Sequence, residues 1–126
     1  MRSRLLGAGL ALLSGCTTIV AHTPSGETLE MTPEAFTRYV EQVYRQQSRV
    51  TGQLIRAVGN FSEEDIDEDQ PLAVAARRMA KACEPFSELV AERVLAELTG
   101  APIDPALVDA VPACEAAAGQ LEAALP

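Results

Sequence analysis

Cys16, Cys83, Cys114 and His22 are the side chains of this 126-residue chain best suited to chemistry, and their spacing restricts what that chemistry can be. A thiol attacks or binds metal as thiolate, which requires a neighbouring base or cation. The single histidine, His22, is far in sequence from Cys83 and Cys114, in a stretch rich in Thr, Ser, Pro and Gly that offers an imidazole no fixed partners. Two thiols alone do not complete a zinc site. Six of the eight positions from 62 to 69 are acidic, but a calcium loop wraps its oxygens around a tight turn with a central glycine, and this run has none. It reads instead as a charged helix start, opening with a Ser62-x-x-Asp65 capping signature. The chain shows no nucleophile paired with a base, no glycine-rich phosphate loop and no metal-ligand spacing. The expectation is a protein that is not an enzyme, with no cofactor and no metal.

Cys16 has a different context. It follows Leu13, Ser14 and Gly15 at the end of a leader in which Arg2 and Arg4 precede the apolar stretch from Leu5 to Leu13. That stretch suits the apolar core of a secretory signal and is too short to span a bilayer. The arrangement resembles the bacterial lipoprotein signal. The resemblance implies that residues 1–15 are a signal peptide, cut off just before Cys16, and that a diacylglycerol joins the Cys16 sulfur. Because one acyl chain holds a protein only marginally while several hold it stably, it also implies a lasting membrane anchor that does not cross the bilayer. Thr17 in place of Asp after the cysteine implies delivery, in a Gram-negative cell, to the outer membrane facing the periplasm. The alternative is an ordinary signal peptide with Cys16 as a spare thiol, which leaves an odd cysteine in an exported protein. Lipidation removes that oddity and leaves Cys83 and Cys114 as one pair.

The elements that must position these groups read as helices. Alanine is abundant, tryptophan is absent and aromatic residues are sparse. Residues 16–31 show no period and are expected to form a flexible tether, with one helical domain over 32–126. Thr32-Pro33-Glu34 is a capped helix start. Phe36, Val40, Val43, Gln47, Val50, Leu54, Val58 and Phe61 then form an apolar stripe, ended by Gly59 and Asn60. Arg38, Arg45, Arg49 and Arg56 line the other side. Glu34 and Glu41 can pair with Arg38 and Arg45 four positions on, whereas Arg49 and Arg56 have no such partner in their own helix. A second helix is expected from about 70 or 71 to 98 before Gly100, with Leu72, Ala76, Met79, Cys83, Phe86, Val90 and Val94 inward. A third begins at Asp104-Pro105 and carries Leu107 or Val108, Val111, Cys114, Ala118, Leu121 and Leu125.

If the chain folds back near Leu98 and Thr99, Cys83 lies level with Cys114 in an antiparallel helical hairpin, and Pro85 lies level with Pro112. Prolines inside helices bend or divide them, so the two bends would coincide where a disulfide needs close approach. Export to an oxidising compartment would let that bond persist. The expected fold is therefore all-α, a small three-to-four-helix bundle with a Cys83–Cys114 disulfide across the hairpin.

With 10 basic and 18 acidic residues the chain carries a net charge of −8, which disfavours nucleic acid and adhesion to anionic lipid. The leading expectation is a lipid-anchored, non-catalytic cell-envelope protein that binds or scaffolds another envelope protein. One alternative is a secretion or assembly chaperone, similar in class and size to pilotins, which are small helical outer-membrane lipoproteins with a disulfide and a groove for a partner helix. Another is a module binding an anionic glycan or sugar phosphate through Arg49 and Arg56. The sequence leaves the oligomeric state open.

Overall fold

The computed structural model describes the backbone of residues 18–59, 67–99 and 107–126, and the side chains of all of these except 93–99. The leader over 1–15, Cys16, Thr17, Asn60, Phe61, the Ser62-x-x-Asp65 signature, Gly100 and the Asp104-Pro105 helix start lie outside these residues, as do the side chains of Val94 and Leu98. The described chain is mostly helical, in the order β1 (Ile19–His22), β2 (Thr28–Met31), α1 (Pro33–Val58), α2 (Pro71–Thr99) and α3 (Ala110–Ala124).

The two strands correct the all-α expectation, and from Ile19 to Met31 a paired hairpin stands where a flexible tether is expected. They pair antiparallel, with Ile19 opposite Met31 and His22 opposite Thr28. Side chains alternate as a half-buried ribbon requires: Ala21 is buried, Ile19, Leu29 and Met31 pack against the core, and Val20, His22, Thr28 and Glu30 point outward. The connection is a tight turn. The Gly26 amide donates to the Thr23 carbonyl at 3.0 Å, the Thr23 amide donates to the Glu27 carbonyl at 2.9 Å, and the Glu27 amide also donates to Thr23 Oγ1 at 3.0 Å. Gly26 has φ +93°, the left-handed conformation that closes a three-residue hairpin loop and that glycine adopts without strain. The residues that suggested a linker by composition are the residues this turn demands.

α1 starts as its sequence predicts. Thr32 caps it by accepting from the Ala35 amide at 3.1 Å, with Pro33 in the first turn. Phe36, Val40, Val43 and Val50 of its stripe are buried, and Leu54 packs at the margin. α2 buries Ala75, Met79, Cys83, Phe86 and Leu89, and it runs through Pro85 as one helix. α3 begins at Ala110, so Leu107 and Val108 precede it in a turn, and Pro112 falls in its first turn. Amides there have no acceptor within the helix, so a missing N–H costs nothing and Pro112 does not bend the axis. Of the two prolines, Pro85 alone therefore lies in a helix interior, and the expected coincidence of two bends does not occur.

α3 is the central element. Val111, Cys114, Ala118 and Leu121 are buried to 0% exposure, and their small average size lets α2 pack on one side and α1 on the other. The Cys83–Cys114 disulfide joins α2 to α3 with Cα atoms 4.5 Å apart, closer than helices approach without such a link. α1 runs parallel to α3, since Tyr39 meets Glu115 and Arg49 meets Glu122. The disulfide fixes α2 to α3 at the level of Cys114.

Candidate functional site

Because α1 and α2 each pack on α3 far more than on one another, the described residues leave the seam between them open. Val40 closes its floor, and above it Tyr44, one turn along α1, stands 54% exposed. Together with Val90 of α2 and the flanking Glu41 and Arg45, they line a groove of about 320 Å³. A tyrosine with an apolar body and a wet hydroxyl suits a surface that exchanges water for a partner. Arg45 also borders a second hollow, of about 330 Å³, with Gln42, Gln46 and Arg49. The apolar groove and the arginine row on α1 are therefore one continuous surface.

The structure separates the four arginines by partner. Arg49 bonds Glu122 of α3 at 3.0 Å, a pairing across helices that spacing within α1 could not reveal. Arg56 lies farther along α1, beside a hollow of about 470 Å³ that also takes in Gln53, Ala57, Glu122, Leu125 and Pro126. An anion entering it meets the Glu122 carboxylate and the negative end of the α3 dipole as well as Arg56. Arg49 and Arg56 border on Glu122 together, and they do not converge on a purely cationic pocket.

Two polar contacts fix the helices and strands beside this surface. Tyr39 donates its hydroxyl to Glu115 Oε1 at 2.7 Å, joining α1 to α3. Burial raises the Tyr39 phenol above its ordinary value, and the hydrogen bond to Glu115 and that carboxylate's charge push it the same way. Asp109, at the cap position of α3, makes no capping bond to its own helix. Its Oδ1 instead accepts the His22 backbone amide at 2.7 Å, and His22 Nδ1 lies 3.2 and 3.3 Å from the two carboxylate oxygens. His22 is thus held in place by the fold, contrary to its expected position in a tether. It is exposed and its neighbour is one carboxylate, which gives it an anchoring partner without a nucleophile or a metal shell. Among the described residues no group of His, Cys, Asp and Glu could hold a metal ion.

Cys83 and Cys114, 1% and 0% exposed, are bonded to each other in the interior, so they cross-link the core and present no thiol to a substrate. Spacing along the sequence does not mark Asp109, Glu115 or Glu122 as partners of α1 and β1, and Tyr44 lies outside the apolar stripe of α1. Tyr44 alone left a signal, lying four positions after Val40 just beside that stripe. Compared with known proteins, the chain matches no family model, no curated protein and no solved structure. Among the described residues no helix is long and apolar enough to cross a membrane.

Proposed function

We propose that this is a non-catalytic cell-envelope protein, anchored by lipid on Cys16 after removal of residues 1–15, whose helical bundle binds another envelope protein along the groove between α1 and α2. The observation that carries the reading is the exposed Tyr44 over Val40 and Val90, with Arg45 beside it, on a domain whose cysteines are sealed in its core. A groove between two helices takes the apolar side of a third helix, and this favours the pilotin-like chaperone as the second reading. Recognition of an anionic glycan by Arg49 and Arg56 has less support, because Glu122 pairs with Arg49 and faces the same hollow as Arg56.

The test is a photo-crosslinking amino acid at position 44 in the native host, with mass spectrometry of Cys16 on the same protein. The expected result is an acylated Cys16 and one dominant protein adduct, lost on adding Arg45→Glu at the exposed rim of the groove. Absence of any adduct from position 44, together with binding to cell-wall material that Arg49→Ala and Arg56→Ala abolish, would replace the protein-partner reading with the glycan one. An intact leader with unmodified Cys16 would remove the anchor.

A further inference from the structure

The β-hairpin leaves almost no chain between the anchor and the folded body. Ile19, the first residue of β1, is the third residue after Cys16. Three residues span at most about 11 Å when fully extended. From Ile19 to the Thr32 cap the described strands are tied to the body of the fold. β1 is paired along its whole length to β2, Ala21 is buried to 0%, and Asp109 holds both the amide and the ring of His22. β2 in turn ends at Met31, which leads directly into the Thr32 cap of α1.

The parallel course of α1 and α3 says which end of the molecule this is. β1 packs against α3 and β2 against α1, near the starts of both helices, while Arg56 and Pro126 lie at the opposite end. We propose that the hairpin is a rigid spacer that seats this end of the domain on the bilayer, so that the lipid surface is itself a partner of the fold. The proposal rests on the lipid-anchor reading and adds an orientation to it. α1 rises about 1.5 Å per residue, so with Ile19 paired to Met31 at its start Tyr44 comes within roughly 40 Å of the headgroups whatever the tilt of the domain. The groove then opens toward segments of partners that lie close to the membrane. Val20, 43% exposed on the outer side of β1, is the apolar side chain placed to meet the interface. The exposed Glu27, Glu30 and Glu34 at the same end oppose an anionic surface, so the anchor and not electrostatic adhesion holds the contact.

The experiment uses the full acylated protein, its mass verified, in phosphatidylcholine vesicles with an acceptor dye on the lipid headgroups. A donor dye is attached at Glu34→Cys, in the first turn of α1, or at Ala123→Cys, near the end of α3; both positions are exposed, and the native cysteines in the body are bonded and buried. The expected result is strong energy transfer from position 34 and at least twofold weaker transfer from position 123. Twelve Gly/Ser residues inserted between Thr17 and Thr18 add a flexible span of about 19 Å and are expected to halve the transfer from position 34. Including anionic lipid should lower that transfer further in the inserted protein than in the native one. Equal transfer from the two positions, or no response to the insertion, on protein whose Cys16 is acylated overturns the seating and leaves the anchor intact. Unacylated Cys16 overturns both.

Discussion

Removing the Cys83–Cys114 bridge tests the reasoning about this fold most directly. The bond closes a loop of 31 residues in sequence separation. In the chain-entropy model a loop of that length restricts the unfolded state enough to supply about 3 to 4 kcal/mol. Domains of this size hold only about 5 to 15 kcal/mol in all, and a core built largely of alanine and valine belongs toward the lower end. The perturbation is reduction of the wild-type chain, which keeps both sulfur atoms, compared with Cys83→Ala/Cys114→Ala, which also removes two fully buried atoms and leaves a small cavity. Urea unfolding followed by circular dichroism measures both. With a slope of about 1.5 to 2 kcal/mol/M, reduction should lower the midpoint by roughly 2 M. The slope itself should rise, because the freed unfolded chain exposes more surface. The double variant should fall slightly below the reduced wild type, by the packing its sulfurs supplied. A midpoint shift under about 0.5 M on reduction, well short of the loop-closure value, would refute the claim that the bridge stabilises by restricting the unfolded chain.

Asp109→Ala is expected to free β1 from α3: amide exchange at Ala21 and its strand partners should accelerate while α3 stays protected, with a global loss of about 1 to 2 kcal/mol by chemical denaturation. Asp109→Asn, which keeps an acceptor for the His22 amide, should lose less. Gly26→Ala forces an L side chain into the left-handed region and should cost about 1 to 2 kcal/mol, seen as a lower urea midpoint with an unchanged slope. Tyr39 binds its proton more tightly folded than unfolded, so its contribution is complete below the unfolded tyrosine value, about 10, and is lost as pH rises beyond it. Stability measured from pH 9 to 11 should therefore decline more steeply in the wild type than in Tyr39→Phe, and identical slopes would refute this.

What could be read in the sequence was what local rules govern. Thr32 and Pro33 announce the start of α1, and steps of three and four residues select Phe36, Val40, Val43 and Val50 for the core. The pairing of Cys83 with Cys114 is legible because both lie on apolar stripes of their helices. The hairpin was not legible, since each strand is four residues long and a two-stranded ribbon is marginal without a surface to cover it. Its stability comes from Ala21 lying in the core and from Asp109, which is 87 positions away from His22. α3 starts directly after Asp109, whose carboxylate bonds β1 and does not cap the helix. The candidate site divides similarly. Arg49 and Arg56 stand out by spacing, but Glu122 reaches Arg49 only because α1 and α3 run parallel, and Tyr44 matters only because α2 leaves a gap beside it.

The central position of α3 also sets an order of events. β1, α1 and α2 all pack against α3, and a ribosome makes α3 after all three. At about 5 to 20 residues per second, roughly 4 to 17 s separate the synthesis of His22 from that of the aspartate that secures it. Through that interval the early strands and both long helices exist without their common support, their apolar stripes uncovered. A chain that stops before residue 110 leaves Phe36, Val50 and Phe86 without the α3 residues that complete their core, which makes α3 the least dispensable of the described elements.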